Sequence, residues 1–181
     1  MFEPKTNNLK IDNWEDMTSQ NILIFGDSKV GKTYTALALV KEEMIKNKDM
    51  KVYYINTDMG FSEPAKQLGL VEFKDRIEYY YVREIYEAEE LIKKLKGEVK
   101  SYDYVVWDLT SWIWEKAQEE YMNFVAGTSK IKFLMKASQN PKNFGNFSGN
   151  QWQVIKSIDS NITNFLTRNT LCNVIGITGV K

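Results

Sequence analysis

Histidine is absent from the 181 residues, and cysteine occurs once, at Cys172. The lack of histidine excludes histidine-based catalysis and most zinc sites. A single cysteine cannot form a disulfide within the chain. The 24 basic and 24 acidic side chains cancel to a formal net charge of zero, so no global field attracts nucleic acid or membranes. The longest apolar runs are strand-sized, so we expect no signal peptide, no transmembrane helix and a cytoplasmic location.

The eight residues from Gly26 to Thr33, GDSKVGKT, follow an apolar run, ILIF, and precede a stretch of helical apolar spacing. Strand, glycine-rich loop and helix in this order match the G-x-x-x-x-G-K-[ST] pattern of a phosphate-binding loop. The glycines let the backbone wrap a phosphate chain, and the helix N-terminus adds partial positive charge. Lys32 can reach the β- and γ-phosphates, and the Thr33 hydroxyl can ligate Mg²⁺. The pattern therefore predicts a site for ATP and Mg²⁺.

The predicted nucleotide-binding residues form one continuous segment. They are Gly26, Asp27, Ser28, Lys29, Val30, Gly31, Lys32, Thr33 and Tyr34. Lys29 either adds a phosphate contact across a dimer or is a solvated lysine on the outer side of the loop. Tyr34 either packs near the base or ribose of the nucleotide or belongs to the core.

The period of the apolar residues switches repeatedly between strand and helix along the chain. The predicted strands are 22–25, 51–56, 77–82, 102–108 and 173–178. The predicted helices are 32–46, a short helix with Ser62 as its N-cap, 83–97, 111–125, a short helix at 131–137, and 151–168. This alternation predicts an α/β fold with a mostly parallel sheet of about five strands flanked by helices.

The predicted division of the chain is simple. Residues 1–20 are polar and form either an arm or edge element or a partly disordered terminus. Residues 21–181 have the length of one domain. The last predicted strand ends three residues before Lys181, which suggests a minimal domain or a fragment of a longer protein.

Two aspartates are candidates for the remaining chemistry. Asp108 closes the apolar run YVVW, so we expect it at the carboxyl edge of the sheet, where open α/β sheets bind ligands. It is the predicted partner of Mg²⁺, with an N-cap or turn role as the alternative. Asp58 follows the second predicted strand and is the candidate catalytic carboxylate that orients or deprotonates water. Its alternative role is to form the turn before Gly60.

Four segments besides the phosphate loop carry a resemblance to a known family. They are YYINTDMGFSEPAKQLGL, IYEAEELIKKLKG, YDYVVWDLTSW and NVIGITG. From about residue 21 to 178 the sequence resembles the RecA-like P-loop ATPases of phages and archaeal viruses. The resemblance implies a three-layer P-loop NTPase domain. It also places Asp58 at the position of the family's catalytic glutamate, and Thr178 at or near that of its polar γ-phosphate sensor.

The same resemblance implies partners. RecA-like proteins couple ATP hydrolysis to DNA recombination or single-strand annealing, as homo-oligomers whose active sites lie at subunit interfaces. A viral member would act in the host cytoplasm. Segment 130–152 mixes lysines with aromatic residues, the pattern used to bind single-stranded DNA. The alternative is a long surface loop whose aromatic side chains pack back into the core.

Other functions stay open beside the predicted P-loop ATPase, whose activity we expect to be weak in isolation. Asp58 is one methylene shorter than glutamate, and Thr178 replaces the family's usual glutamine or histidine. Both departures favour a non-catalytic, ATP-gated regulatory or assembly module. A small-molecule or nucleotide kinase usually carries an arginine-rich lid, which three arginines argue against. Packaging motors pair the aspartate with a glutamate, whereas here Leu109 follows Asp108.

Overall fold

The computed structural model describes residues 19–124, 127–129, 132, 135, 149–168 and 172–179. Five strands are present in this part of the chain: β1 (Asn21–Gly26), β2 (Val52–Asn56), β3 (Ile77–Tyr81), β4 (Tyr104–Asp108) and β5 (Asn173–Gly179). The α-helices are α1 (Lys32–Lys46), α2 (Ser62–Gln67), α3 (Ile85–Glu98), α4 (Ser111–Phe124) and α5 (Gly149–Thr167). A 3₁₀ helix, Leu70–Arg76, precedes β3. None of the helices described is long and apolar enough to cross a membrane.

The strands form one sheet in the order β1-β5-β4-β2-β3, and every pairing is parallel. This confirms the predicted α/β class and the flanking helices. Strands β2 and β4 are buried at every position, as expected for parallel strands covered on both faces. Strand β5 lies between β1 and β4, so it brings the strand before the phosphate loop within one strand of Asp108.

Helices cover the sheet on two faces and make three layers. On one face α1 and α2 pack against side chains such as Val52 and Tyr54 of β2. On the other face α3, α4 and α5 pack against Tyr53 and Ile55 of the same strand. Because side chains alternate along a strand, Tyr54 and Asn56 of β2 share the α1 face of the sheet. The face on which each β2 side chain lies therefore determines which polar groups meet at the start of α1.

The predicted elements are close to those observed, with local differences. Ser62 is the first residue of α2 and not its N-cap, because Phe61 stands at the cap position without a side-chain cap. Helix α3 begins at Ile85, two residues later than predicted, because Glu84 and Glu87 form a capping box. The 3₁₀ helix at Leu70–Arg76 was not predicted. The predicted short helix at 131–137 lies almost wholly outside the described residues, and so does the arm at 1–20.

A buried aspartate, Asp103, links the segments that lead into β2 and β4 at the amino end of the sheet. The side chain of Asp103 is 1% exposed, and its two oxygens accept the backbone N–H groups of Lys51 and Lys100, each at 2.8 Å. The Asn173 amide donates to the backbone carbonyl of Asp103 at 3.2 Å. These hydrogen bonds fix how far β2, β4 and β5 are shifted along one another. They thereby also fix the relative positions of the carboxyl ends of the three strands.

Replacing Asp103 by alanine is expected to lower the free energy of unfolding by about 3 kcal/mol, because two backbone donors lose a charged acceptor. Urea denaturation at neutral pH measures the change. Asp75, which is exposed on the 3₁₀ helix, supplies the matched control. Asp75→Ala should change the free energy of unfolding by no more than about 0.5 kcal/mol. Equal effects of the two substitutions would contradict the role assigned to Asp103.

Candidate functional site

A cleft of about 830 Å³ opens at the carboxyl edge of the sheet. Its walls come from the phosphate loop, the first turn of α1, the loop after β2, the inner side of α2 and the first turns of α4. These segments converge there because the carboxyl ends of parallel strands lie at one edge. The cleft therefore sits where the sequence places both the phosphate loop and the two candidate aspartates.

The phosphate loop turns sharply into α1. Gly31, at the N-cap position, has a φ of 89° in the left-handed region, where a residue with a Cβ would be strained. Lys32 begins the helix, and its Nζ donates to the carbonyl oxygens of Gly26 at 3.0 Å and Asp27 at 2.6 Å. The ammonium group is thus folded over its own loop. An ammonium has three donors, so one remains for a phosphate oxygen beside these two contacts.

Asp108 is the polar centre of the site. The hydroxyl groups of Thr33 and Tyr54 both donate to its Oδ2, each at 2.6 Å. The residue is 0% exposed, and Oδ1 has no hydrogen-bond partner among the described residues. Buried carboxylate oxygens are nearly always paired, so an orphan oxygen next to a phosphate loop indicates a place for a ligand. The structure thus brings the two predicted Mg²⁺ ligands, Thr33 and Asp108, into direct contact, while their role at the ion stays a prediction.

The environment shifts the acidity of this carboxyl. Burial is the main cause that raises the pKa of Asp108 above the ordinary aspartate value. Hydrogen bonds from Thr33 and Tyr54 lower the pKa, the nearby charge of Asp58 raises it, and the charge of Lys32 lowers it. The net direction is upward. A bound cation would favour the ionised form and so offset the desolvation of Asp108.

The loop after β2 places Asp58 on the cleft wall. Its Oδ1 accepts the backbone N–H of Gly60 at 3.0 Å, which is the turn role named as the alternative. A Cβ at Gly60 would lie 3.0 Å from Asp58 Oδ1 and 3.5 Å from Thr33 Oγ1, so only glycine fits between these two groups without displacement. Asp58 therefore forms the turn, and Gly60 lies between its carboxylate and the Thr33 hydroxyl.

Thr57 anchors this loop to the residue after Asp108. The Leu109 backbone N–H donates to Thr57 Oγ1 at 2.7 Å, and the Thr57 backbone N–H donates to the Asp108 carbonyl at 2.6 Å. Asn56 Oδ1 accepts the backbone N–H of Met59 at 3.1 Å. The two candidate carboxylates are thus held on one hydrogen-bonded frame.

Residues 18–161 match the family model of an AAA domain. The match includes the phosphate loop, Asp58 and Asp108 and covers well over half of the chain. The chain belongs to this AAA domain family. No curated protein matches the sequence at a significant level. An AAA domain is a nucleotide-binding domain of the P-loop ATPase type, which agrees with the cleft. The RecA-like and viral features stay a resemblance.

The AAA domain offers oxygen ligands that suit Mg²⁺. No cluster of three or more histidine, cysteine or carboxylate side chains that could hold a metal occurs in the part of the chain described. Mg²⁺ does not need one, because it usually binds one or two protein oxygens together with waters and substrate phosphates. The Thr33 hydroxyl and the orphan Oδ1 of Asp108 supply such oxygens beside the phosphate loop. The residues present therefore fit the ion.

The other predicted loop residues of the AAA domain divide into two groups. Ser28, Lys29 and Tyr34 line the cleft, and Tyr34 is 42% exposed, so it is not a core residue. Gly26, Asp27 and Val30 shape the loop instead. The carbonyls of the first two hold Lys32, and a Cβ at Gly26 would lie 3.2 Å from a methyl group of Val30, which is itself 61% exposed.

Thr178 occupies a different position from the other candidates. Its strand neighbour Ile177 belongs to the core under α1, so Thr178 lies on the opposite face of β5 by alternation. Among the described residues of β5, Gly179 lines the cleft and Thr178 does not. The Thr178 hydroxyl donates to the Gly179 carbonyl at 3.5 Å. Its sensor role stays a prediction.

Several cleft and support residues were not anticipated from the sequence. Tyr54 contacts Asp108 directly, while Glu63, Trp112 and Glu115 line the cleft walls of the AAA domain. A usable signal for Tyr54 existed in the alternation of β2, which puts it on the α1 face. Using that signal requires the register of β2 against β4, in which Tyr54 pairs with Val106 and Asn56 with Asp108.

The raised pKa of Asp108 predicts how stability varies with pH. A carboxyl whose pKa is higher in the folded than in the unfolded state stabilises the fold while protonated, and this stabilisation is lost as pH rises through the folded pKa. Asparagine does not ionise. In EDTA, the stability of Asp108→Asn relative to wild type should therefore increase between acid and neutral pH.

Urea denaturation of both proteins across this pH range measures the difference. Asp75→Asn, at an exposed position, is the control and should follow wild type throughout. A relative loss of stability by Asp108→Asn as the pH rises would show that the buried carboxylate is favoured in its ionised form even without a cation.

Proposed function

We propose that this AAA domain binds ATP with Mg²⁺ in the cleft and hydrolyses it. The single observation that carries the proposal is the pair formed by Thr33 and Asp108 at 2.6 Å, with an orphan buried oxygen next to the phosphate loop. A loop that bound no phosphate would have no need of a desolvated, unpartnered carboxylate oxygen. This pattern supports a cation site beside the phosphate loop.

Each residue has a distinct part in this proposal. Lys32 and the amides of the α1 N-terminus hold the β- and γ-phosphates. The Thr33 hydroxyl and Asp108, directly or through water, hold Mg²⁺, which supplies charge neutralisation on the phosphates when bound. Asp58 orients a water for attack on the γ-phosphorus and accepts its proton, while the bond from the γ-phosphorus to the bridging oxygen of ADP breaks.

Asp58 is suited to this task by its second oxygen. Oδ1 is engaged by the N–H of Gly60, so Oδ2 is the oxygen that can face a water in the cleft. The same turn bond supports the second candidate function. If the bond to Gly60 holds the short side chain too far from the γ-phosphate, the domain is an ATP-gated module that binds without turnover.

The positions of the three arginines do not support a kinase function. Arg76 donates to the carbonyl oxygens at the end of α1, including that of Met44 at 3.0 Å, and Arg83 stacks over Tyr81 at 4.8 Å. Arg168 follows Thr167, whose carbonyl oxygen accepts the Asn21 side-chain amide at the amino end of β1, on the edge of the sheet opposite the cleft. All three arginines lie in the described part of the chain, and none lines the cleft. An arginine lid over a transferred phosphoryl group is therefore not proposed.

We further propose that hydrolysis is coupled to DNA recombination or single-strand annealing in a homo-oligomer with active sites at subunit interfaces. This rests on the resemblance and on the composition of segment 130–152, most of which lies outside the described residues. At its end, Trp152 stacks on Trp114 with ring centroids 5.7 Å apart and planes within 2°. This contact fits the alternative that aromatic side chains of the segment pack back onto the domain.

ATP turnover by the purified chain, with and without single-stranded DNA and across protein concentrations, tests the proposal. DNA-stimulated turnover that rises more than linearly with protein concentration is expected of an assembling ATPase that acts on DNA. ATP binding without turnover under every condition would favour the ATP-gated module. Phosphoryl transfer to an added nucleoside would favour a kinase and contradict the proposal.

A further inference from the structure

Tyr54 contacts the site from beneath, without lining the cleft. Its hydroxyl donates to Asp108 Oδ2 at 2.6 Å, and both residues are 0% exposed. The Thr33 hydroxyl donates to the same oxygen. Two donors on Oδ2 restrict rotation of the carboxylate, and Oδ1 is left without a partner among the residues that the structure describes. The positions of these two donors therefore determine that Oδ2, and not Oδ1, is the oxygen they hydrogen-bond.

The ring of Tyr54 is itself held by aromatic packing. Phe61 packs against it with centroids 4.6 Å apart, and Tyr79 stacks at 6.0 Å with planes within 5°. Tyr79 Oη accepts the Asn56 amide at 2.5 Å, so the outer ring is also fixed. Such packing leaves Tyr54 few alternative rotamers, and its hydroxyl is placed in advance of any ligand.

We propose that Tyr54 is a positioning residue for the cation site: its hydroxyl fixes the Asp108 carboxylate so that Oδ1 is presented to Mg²⁺ or to a water bound to it. The role rests on the proposed function, because it concerns how the same site holds ATP with Mg²⁺. Thr33 is itself a proposed ligand of the ion. Tyr54 does not line the cleft, and its hydroxyl contacts Asp108 and the Thr33 side chain, so any effect on the ion passes through these two residues. This arrangement resembles the general use of outer hydrogen bonds to orient metal ligands.

The chain offers a matched control one residue away. Tyr53 lies on the same strand, is 2% exposed, and packs in the core on the opposite face of the sheet. Tyr54→Phe and Tyr53→Phe each remove one tyrosine hydroxyl and keep the ring. Only the first removes a donor from Asp108.

The test measures binding of a fluorescent ADP analogue in EDTA and across a series of free Mg²⁺ concentrations, so the readout does not depend on turnover. For Tyr54→Phe we expect the Mg²⁺ concentration at half-maximal enhancement of binding to rise about tenfold, which corresponds to loss of one charge-assisted hydrogen bond. Its affinity in EDTA should equal that of wild type. Tyr53→Phe should match wild type in both conditions.

Three results would overturn the role of Tyr54. An unchanged Mg²⁺ midpoint in Tyr54→Phe would show that Thr33 alone suffices to hold Asp108. An equal loss of affinity with and without Mg²⁺ would show general damage to the fold instead of a role at the cation. If wild type binds no nucleotide in either condition, the proposed function fails, and the positioning role fails with it; the first two results leave the proposed function intact.

Discussion

Replacing Lys32 by alanine is expected to reduce ATP turnover by about a hundredfold to a thousandfold and to weaken ATP binding, while the fold stays intact. The ammonium group is folded over the loop by the carbonyls of Gly26 and Asp27, where it can reach a bound phosphate. Removing one such charged donor from a developing phosphoryl charge typically has an effect of this size. Equilibrium titration with ATP and a steady-state turnover assay measure the two effects separately.

The matched control is Lys46→Ala in the last turn of the same helix, where the exposed side chain pairs with Glu43 at 2.7 Å. Exposed pairs of this kind contribute little to stability, so this variant should behave as wild type. Unchanged ATP affinity and turnover in Lys32→Ala would contradict the assignment of the phosphate loop.

Asp58→Asn is expected to reduce turnover by at least about a hundredfold, in the range of general-base effects, with much less effect on ATP binding. Asparagine keeps an acceptor for the Gly60 N–H, so the turn should persist. The substitution removes only the negative charge and the ability to take a proton from water. Turnover under saturating ATP, together with the binding constant, separates this loss from a loss of affinity.

Glu115→Gln provides the discriminating comparison, because Glu115 lines the cleft from α4, on the other side of the site from α2. Wild-type turnover in Asp58→Asn together with a large loss in Glu115→Gln would place the base on α4. Wild-type turnover in both variants would show that neither Asp58 nor Glu115 activates the attacking water.

The geometry of the phosphate loop and the position of Asp108 were predictable because their signals are local. Gly31 and Lys32 stand at fixed spacing in a motif whose geometry depends on the adjacent strand and helix alone. Asp108 required only one further step, that a charged residue closing an apolar run lies at the carboxyl edge of the sheet. The described part of the chain contains both features where the sequence placed them.

Tyr54 and Thr57 were missed because their roles depend on strand order and register. Neither residue differs in sequence context from an ordinary strand or loop residue. Only the pairing of β2 with β4 brings Tyr54 beneath Asp108 and Thr57 beside Leu109. The sequence predicts that the strands are parallel but does not tell which strands are neighbours.

Asp58 shows why a single residue can be compatible with two alternative predictions, of which only the turn role is observed. Its backbone neighbourhood, with Met59 at a φ of 65° and Gly60 next, requires a tight turn, and an aspartate side chain stabilises such turns. The strand before it delivers that same turn to the cleft wall. Structure and sequence therefore agree on where Asp58 lies, and the proposed catalytic role depends on the charge that Asp58→Asn removes.

The most direct test of the central claim is isothermal titration of the wild-type chain with ATP, in Mg²⁺ and in EDTA. We expect saturable binding with one site per chain, tighter in Mg²⁺ because Thr33 and Asp108 then contribute oxygen ligands. Lys32→Ala should lose most of this affinity in both conditions. No saturable binding by the wild-type chain, or binding that Mg²⁺ leaves unchanged, would contradict the claim that this cleft is an ATP and Mg²⁺ site.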